Sequence, residues 1–407
     1  MESISRPLGP PAPRPFADAT TRPLRRLGKL TVADFMRTSW QRRPRVLRQV
    51  LAGTHDLISP QRVFALAADE SVHSRLVTAF DGRWRMRSGP IARLPALSRA
   101  RWTVLVQSVE QHEAAAAQLL ARFRFLPDAR LDDVMVSYAS DGGGVGPHVD
   151  SYDVFLLQLR GQRRWRISRQ HDLQLVPDLP LRILRRFKAT SEAVLGPGDM
   201  LYLPPGVAHE GVAVGGDCLT CSIGFRAPPW RALIEPCVEQ IMARPAREGQ
   251  RYRDPDLRAT RRPAALPAPL AARAWRELRR ALAPMRNDAT AALLTVLTEP
   301  TPHVRFAAPV PPLTLRAFAA ALHTCVLHPA AATRLMYFGS LFAINGEVFS
   351  YRGDGGRRLL HRLADRRAST PREWLGADES ARRAVLSALY DWHRSGWLQV
   401  DRRHDKP

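Results

Sequence analysis

Residues 144–168 read GVGPHVDSYDVFLLQLRGQRRWRIS, and the architecture of the chain turns on how they pair. His148 and Asp150 are two apart, so on an extended backbone both side chains project from one face. The apolar run YDVFLLQL and the arginine-bearing run RRWRIS flank an RGQ turn, which predicts a β-hairpin. Working outward, further short β-runs recur between Asp133 and Phe225. VMVSYA precedes the hairpin, and MLYLP and CLTCSIGF follow it, separated by DGGG, GPGD and PPG turns. Strands this short and evenly spaced predict an antiparallel barrel or sandwich.

An H-x-D pair alone is a weak signal, because His–Asp pairs on surfaces are more often solvated than metal-bound. The second half adds specificity. Gly198, Pro204, Gly206 and His209 fit the cupin pattern G-x5-P-x-G-x2-H, with Ala213 where asparagine is expected. The turn glycine and proline set where the strand begins, so His209 is aimed into the barrel. His148, Asp150 and His209 then form a two-histidine, one-carboxylate facial triad. Such a triad leaves three positions open, as non-haem iron(II) needs for a co-substrate and oxygen.

An anchor for a dicarboxylate is the next requirement. If the second strand begins at Arg163, period two puts Arg163, Trp165 and Ile167 on one face and Arg164, Arg166 and Ser168 on the other. The apolar members mark the inner face, so Arg163 shares the cavity, where a planar guanidinium suits bidentate capture of a carboxylate. A slip of one residue would exchange the roles.

The remaining composition narrows the class. At 407 residues the chain has room for two to four compact units. Hydrophobic content of 45% and charged content of 24% are ordinary for a folded, soluble protein. The formal charge of +23 points to contact with nucleic acid or a ribonucleoprotein. Against this, nearly all of it is arginine in a chain rich in alanine and proline, a bias that GC-rich coding also produces. Cys218, Cys221, Cys237 and Cys325 are too few for a disulfide scaffold, and no signal peptide or long apolar run is visible, so a reducing cytoplasm and no membrane are expected. Cys218 and Cys221 form a C-x-x-C, but their odd offset puts the thiols on opposite strand faces and no second pair exists, which argues against zinc.

Along the chain, residues 1–25 read as a disordered proline-rich tail. Residues 26–228 mix helical pieces (SPQRVFALAADE, HEAAAAQLLARF) and a strand (RWTVLVQSV) with the β-rich core. Residues 229–311 are helical (RALIEPCVEQIMARPA, APLAARAWRELRRALA, NDATAALLTVLT) and end in a proline-rich linker. Apolar stripes there without a strand partner suit burial against another copy. Residues 312–407 combine strand-like MYFGSLFAINGEVFSYRG with helices and a terminal WLQV strand, the plan of a small domain with a β-wing.

GVGPHVDSYDVFLLQLRGQRRWRIS, together with PPGVAHEG and SIGFRAP, resembles the JmjC-type ribosomal oxygenases, particularly the bacterial branch that hydroxylates an arginine of a large-subunit ribosomal protein. The likeness extends from about residue 26 to 400. It implies an α+β chain: a double-stranded β-helix (jelly-roll, cupin/JmjC) catalytic domain, then a helical dimerisation region and a C-terminal winged-helix-like domain. It also implies catalytic Fe(II) at His148, Asp150 and His209, with 2-oxoglutarate held by Arg163 and O2 as co-substrate. Ser222 in the SIGF strand is a second candidate for 2-oxoglutarate, or a plain core serine. Asp141 is a candidate acid for an arginyl substrate or an Asp-Gly turn residue, and Tyr138 a candidate wall of the same cavity. Tyr152 and Trp165 read as core. The expected partners are a ribosomal protein of the large subunit, ribosomal RNA through the arginine-bearing C-terminal domain, and a second copy of the chain. The alternatives are a histidyl hydroxylase, an N-methyl demethylase, or a barrel that has lost catalysis and binds RNA.

Overall fold

The computed structural model describes residues 22–402 apart from 55–56, 81–82, 243–265, 283–285, 301–303 and 352. Of the segment read as a tail, residues 1–21 lie outside the described residues. Leu24, inside that segment, is a core residue: it is 7% exposed and its N–H donates to the Arg122 carbonyl at 2.8 Å. The chain divides into two compact units, Met1–Ala227 and Pro228–Pro407.

The first unit begins with β1 (Arg26–Leu27), β2 (Leu30–Thr31), α1 (Val32–Thr38), β3 (Arg45–Leu47) and α2 (Pro60–Ala68). Thr31 and Ser59 cap the two helices by accepting from the N–H of Asp34 and Arg62, and proline opens α2, where its missing N–H costs nothing. There follow β4 (Ser74–Phe80), β5 (Arg83–Ser88), β6 (Trp102–Val106), α3 (Ala114–Ala121), β7 (Leu131–Ala139) and β8 (His148–Val149). The unit closes with β9 (Asp153–Ser168), β10 (Ser191–Leu195), β11 (Met200–Leu203) and β12 (Ala208–Phe225). The main sheet runs β3-β11-β9-β12-β7-β6-β4-β5, with β10 added to β9 and β8 to β12, and its pairings are antiparallel.

The expected hairpin at RGQ is not there. β9 runs unbroken through it for 16 residues, beside the 18-residue β12. Gly161 adopts φ +64° where the β9–β12 register shifts between Val214 and Leu219, and a Cβ on Gly161 would come within 2.7 Å of the Asp217 carbonyl oxygen. Gly215 and Gly216 take positive φ in the same place. The glycines let two paired strands bend together, so the chain crosses from one half of the sheet to the other without reversing. Turn residues signal a change of direction, and local sequence does not separate a bend from a reversal.

That bend gives the sheet two buried faces. On one, Phe155, Leu157, Tyr202, Ile223 and Phe225 meet Phe35, Val63, Leu119 and Phe123 from the helical layer. On the other, Val154, Leu156, Leu201 and Leu203 meet Trp165, Ile167 and Leu195. Burial of such side chains stabilises by about 1.5–3 kcal/mol each relative to exposure. A charged node sits at the start of β9. Asp153, fully buried, accepts from Tyr202 Oη at 2.6 Å, Gln41 Nε2 at 2.8 Å and Arg130 Nη2 at 2.9 Å.

The second unit comprises α4 (Trp230–Met242), α5 (Ala268–Leu282), α6 (Arg286–Thr298), α7 (Leu315–Ala321), β13 (Cys325–Pro329), β14 (Leu335–Phe338), β15 (Leu341–Ile344) and β16 (Glu347–Ser350). It continues with α8 (Asp354–Arg366), α9 (Pro371–Leu375), α10 (Glu379–Arg394) and β17 (Leu398–Arg402). β14–β15–β16 form a three-stranded meander and β13 pairs with β17. Phe318, Phe342, Leu360, Val385 and Trp392 build its core. α6 belongs with these elements: Thr298 Oγ1 accepts from the N–H of Gly346 at 3.0 Å, and Gly346 lies against Glu299. The boundary read at 311–312 therefore cuts across packed structure, because α6 needs the meander to cover its apolar side. Among the described residues no helix is long and apolar enough to cross a membrane.

Candidate active site

β8 is only two residues long, yet it registers His148 directly opposite His209 on β12. The glycine-rich segment before it makes this approach possible. A Cβ on Gly144 would lie 2.5 Å from the Gly211 carbonyl oxygen, and one on Gly146, at φ +79°, would lie 3.1 Å from Trp84 Cζ2 and from Ile183 Cδ1. The two imidazole centroids are 4.2 Å apart. Asp150 completes the group, its Oδ1 3.9 Å from His148 Nε2 and its Oδ2 3.6 Å from His209 Nε2. One ligand atom from each of the three residues falls within a 4.8 Å set.

The outer ring nitrogens decide what the inner ones offer. His148 Nδ1–H donates to the Gly146 carbonyl at 2.9 Å and His209 Nδ1–H to that of Val207 at 3.0 Å. Carbonyls only accept, so each Nε2 is left with its lone pair turned toward Asp150, the tautomer a metal requires. Burial pushes the Asp150 carboxyl up, against the pull of His148 and Arg75. Burial, aided by His148, pushes His209 down to about 3. A divalent cation among the three would hold Asp150 ionised and both imidazoles neutral, so the donor set fits one.

Arg163 is 5% exposed on the inner face of β9, with Trp165 and Ile167 on the same side; Arg164 and Arg166 are more exposed. Its Cζ lies 5.7 Å from the Trp165 ring, which in turn lies 6.0 Å from the His209 ring. Among the described residues, Nε and Nη2 of this guanidinium are buried with no hydrogen-bond partner. A buried cation with open donors is costly unless a ligand satisfies it, and a carboxylate matches its fork. Ser222 and Thr220 alternate with Cys221 and Ile223 of the helix-side core, so they face the barrel interior; Ser222 is 9% exposed. Cys218 and Cys221 fall in separate apolar clusters.

Asp141 is exposed, and its Oδ1 accepts from the Gly215 N–H at 2.8 Å, which ties the turn after β7 to the bend of β12. Tyr138 corrects the sequence reading. It lies in the helix-side core with its centroid 4.9 Å from Phe64 and 5.4 Å from Trp102, opposite Leu219 in register. The side-chain period on β7 sends Val134, Val136 and Tyr138 to that face, away from the barrel interior. Tyr152, expected in the core, is 40% exposed. Two contributors were missed. Arg75 alternates with the core residue Leu76 on β4, and its charge bears on Asp150. Trp84 backs the Gly146 turn. Alternation in SRLVTAF marks the inner face for Arg75, but nothing local says which residue that face meets.

Residues 118–233 match the model of the JmjC domain family. The chain is 41% identical over 232 residues to the ribosomal protein uL16 3-hydroxylase of Escherichia coli strain K12, covering 57% of this chain and 62% of that protein's length. A crystal structure of E. coli YcfD superposes with a TM-score of 0.80 at 33% identity, covering 91% of this chain and 98% of the other. The ribosomal oxygenase YcfD in complex with cobalt and 2-oxoglutarate gives 0.77 at 32% identity over the same shares. This chain belongs to the JmjC family of ribosomal oxygenases.

Proposed function

We propose that this protein is an Fe(II)- and 2-oxoglutarate-dependent oxygenase that hydroxylates a side chain, arginine first, of a large-subunit ribosomal protein. The observation that carries the reading is Arg163, a buried guanidinium with two unsatisfied nitrogens in the same barrel interior as the His148–Asp150–His209 group. A 2-oxoglutarate complex of a relative with cobalt in it supports the same assignment. Iron(II) with 2-oxoglutarate and O2 would supply the oxidising chemistry, one oxygen atom of O2 entering a C–H bond and the other the succinate left when 2-oxoglutarate loses carbon dioxide. The chain's own residues supply geometry and charge. His148, Asp150 and His209 would hold the ion on one side and leave the other open. Arg163 would take the distal carboxylate of the co-substrate, with Ser222 as a further hydrogen-bond donor. Trp165 would fill the space between them, its ring 5.7 Å from the Arg163 guanidinium and 6.0 Å from the His209 ring.

Arginine as target rests on Asp141. Its carboxylate has an oxygen beyond the one bonded to Gly215, suited to orient a guanidinium. The resemblance further suggests that the meander and helices of the second unit act as a winged-helix-like module. The exposed apolar face of α4, with Trp230 at 78%, Ile234 at 52% and Val238 at 46%, is suited to a second copy of the chain in a cytoplasmic homodimer.

Mass spectrometry of ribosomal proteins from cells lacking this gene tests the reading. Incubation with protein, Fe(II), 2-oxoglutarate and O2 should add one oxygen to an arginine, and His148→Ala should not. An added oxygen on histidine names the histidyl alternative, and loss of an N-methyl group names the demethylase. Binding to ribosomes without turnover of 2-oxoglutarate would sink the enzymatic reading.

A further inference from the structure

Residues 83–109, RWRMRSGPIARLPALSRARWTVLVQSV, contain six arginines and no aspartate or glutamate. The fold collects several of them on one surface. Among the described residues β5 pairs with β4 alone and forms the edge of the sheet. Arg83, Arg85 and Arg87 are exposed along it, while Trp84 and Met86 between them are half-buried. Arg99 joins from the neighbouring segment, its guanidinium 4.0 Å from the centroid of Phe80, the cross-strand partner of Arg83. Arg87 Nη2 donates to the Arg93 carbonyl at 2.8 Å, which holds the segment carrying Arg93 beside the strand. Among the described residues none of these five arginines forms an ion pair with a carboxylate. Elsewhere in the chain exposed arginines do: Arg37 pairs with Asp34, Arg231 with Glu235 and Arg383 with Glu379.

We propose that this edge ribbon binds the phosphate backbone of RNA. Alternate residues of a strand are about 6.8 Å apart, near the separation of successive phosphates along a nucleic-acid strand. A line of separate cations tracks a regular polyanion such as a nucleic-acid backbone. Arginine is also the cation that combines phosphate pairing with stacking on bases. The opposite face of β5 carries Trp84, which packs against Gly146, two residues before His148. RNA held on the ribbon would therefore sit across one strand from the candidate active site. Only the choice of RNA over DNA rests on the proposed ribosomal substrate; binding itself needs no turnover.

Fluorescence anisotropy with a labelled RNA hairpin of about 20 nucleotides, titrated with the full chain near physiological salt, reads the ribbon directly. The triple variant R83Q/R85Q/R87Q should bind about tenfold or more weakly, with the slope of log K against log salt reduced by about 2. Arg85→Gln alone should give about a third of the logarithmic effect, which separates charge loss from misfolding in the triple variant. R358Q/R362Q/R372Q, on the arginine-bearing face of α8 and α9, should bind within about twofold of the parent. Parental affinity of the β5 variant, or an equal loss in the α8–α9 variant, would overturn the proposal. So would displacement of the RNA by polyglutamate at equal charge, which would make the ribbon a site for acidic protein. Hydroxylation of an isolated substrate peptide should survive in R83Q/R85Q/R87Q, so failure of RNA binding is distinguishable from failure of catalysis.

Discussion

His148 and His209, 61 positions apart in sequence, stand opposite one another in a two-residue antiparallel bridge with ring centroids 4.2 Å apart. Each ring is held from behind by a backbone carbonyl, so each Nε2 faces the carboxylate of Asp150. A group arranged in this way is set for a metal before the metal arrives.

Removing a ligand should therefore remove the ion without unfolding the barrel. His148→Ala and Asp150→Ala are expected to weaken Co(II) binding by about 100-fold or more, read from visible absorption. Full-strength cobalt binding by both variants would count against the site.

Arg163→Met removes the charged partner offered to a distal carboxylate while keeping the apolar stem beside Trp165. The affinity for 2-oxoglutarate should fall by about 30-fold or more, and Arg163→Lys should recover part of it, since a point charge replaces a bidentate fork. Calorimetric titration with Mn(II) present checks this. An unchanged affinity would return Arg163 to a structural role.

Gly211 sits against Trp165 so closely that an added Cβ would be 2.5 Å from Cζ3 and 2.6 Å from Cη2. Gly211→Ala must push the indole away, at a cost of about 1–3 kcal/mol. Because the indole lies between Arg163 and His209, affinity for 2-oxoglutarate should fall along with the unfolding midpoint. Stability lost with affinity intact would show that the ring is packing alone.

Glu110 is 6% exposed and accepts from the Val134 N–H at 2.9 Å. Burial pushes its carboxyl from 4.5 up to about 7, against the pull of that hydrogen bond. A raised carboxyl pKa means the native state holds the proton more tightly, so this contribution to stability is complete below about 4.5 and is lost as pH rises to about 7. Glu110→Gln should match the parent at acid pH and exceed it above neutrality by on the order of 3 kcal/mol. Urea unfolding at the two pH values measures the difference, and equal stability above neutrality would refute it.

Asp153 is buried beneath the start of β9 with donors from Tyr202, Gln41 and Arg130. Asp153→Ala leaves a cation and a hydroxyl without their acceptor, and should cost about 3 kcal/mol. The urea midpoint should fall with the slope unchanged; a loss under about 1 kcal/mol would mean that water replaces the carboxylate.

Much of the site was legible because its determinants are local. The H-x-D spacing, the glycine and proline that position His209, and the alternation that sends Arg163 inward with Trp165 each need only a strand and its period. The same rule explains the failure at Tyr138. Period two divides a strand into two faces, but when both faces are buried it does not say which one meets the ligand. β7 has apolar residues on both, and only the helical layer carrying Phe64 identifies the face of Tyr138 as the back of the sheet.

The sequence by itself determined that the region from Asp133 to Phe225 is β-structure, and it picked out the three candidate ligands and the arginine that shares a strand face with Trp165, because strand propensity and side-chain alternation act over a few residues. Tertiary structure alone settled that RGQ is a bend inside β9, that Arg75 comes close enough to act on Asp150, and that Trp84 backs the turn before His148. Each of these depends on pairing between segments far apart in the chain. A glycine permits a positive φ, but whether the strand then reverses or runs on is fixed by the partner that bends with it, here Gly215 and Gly216 in β12.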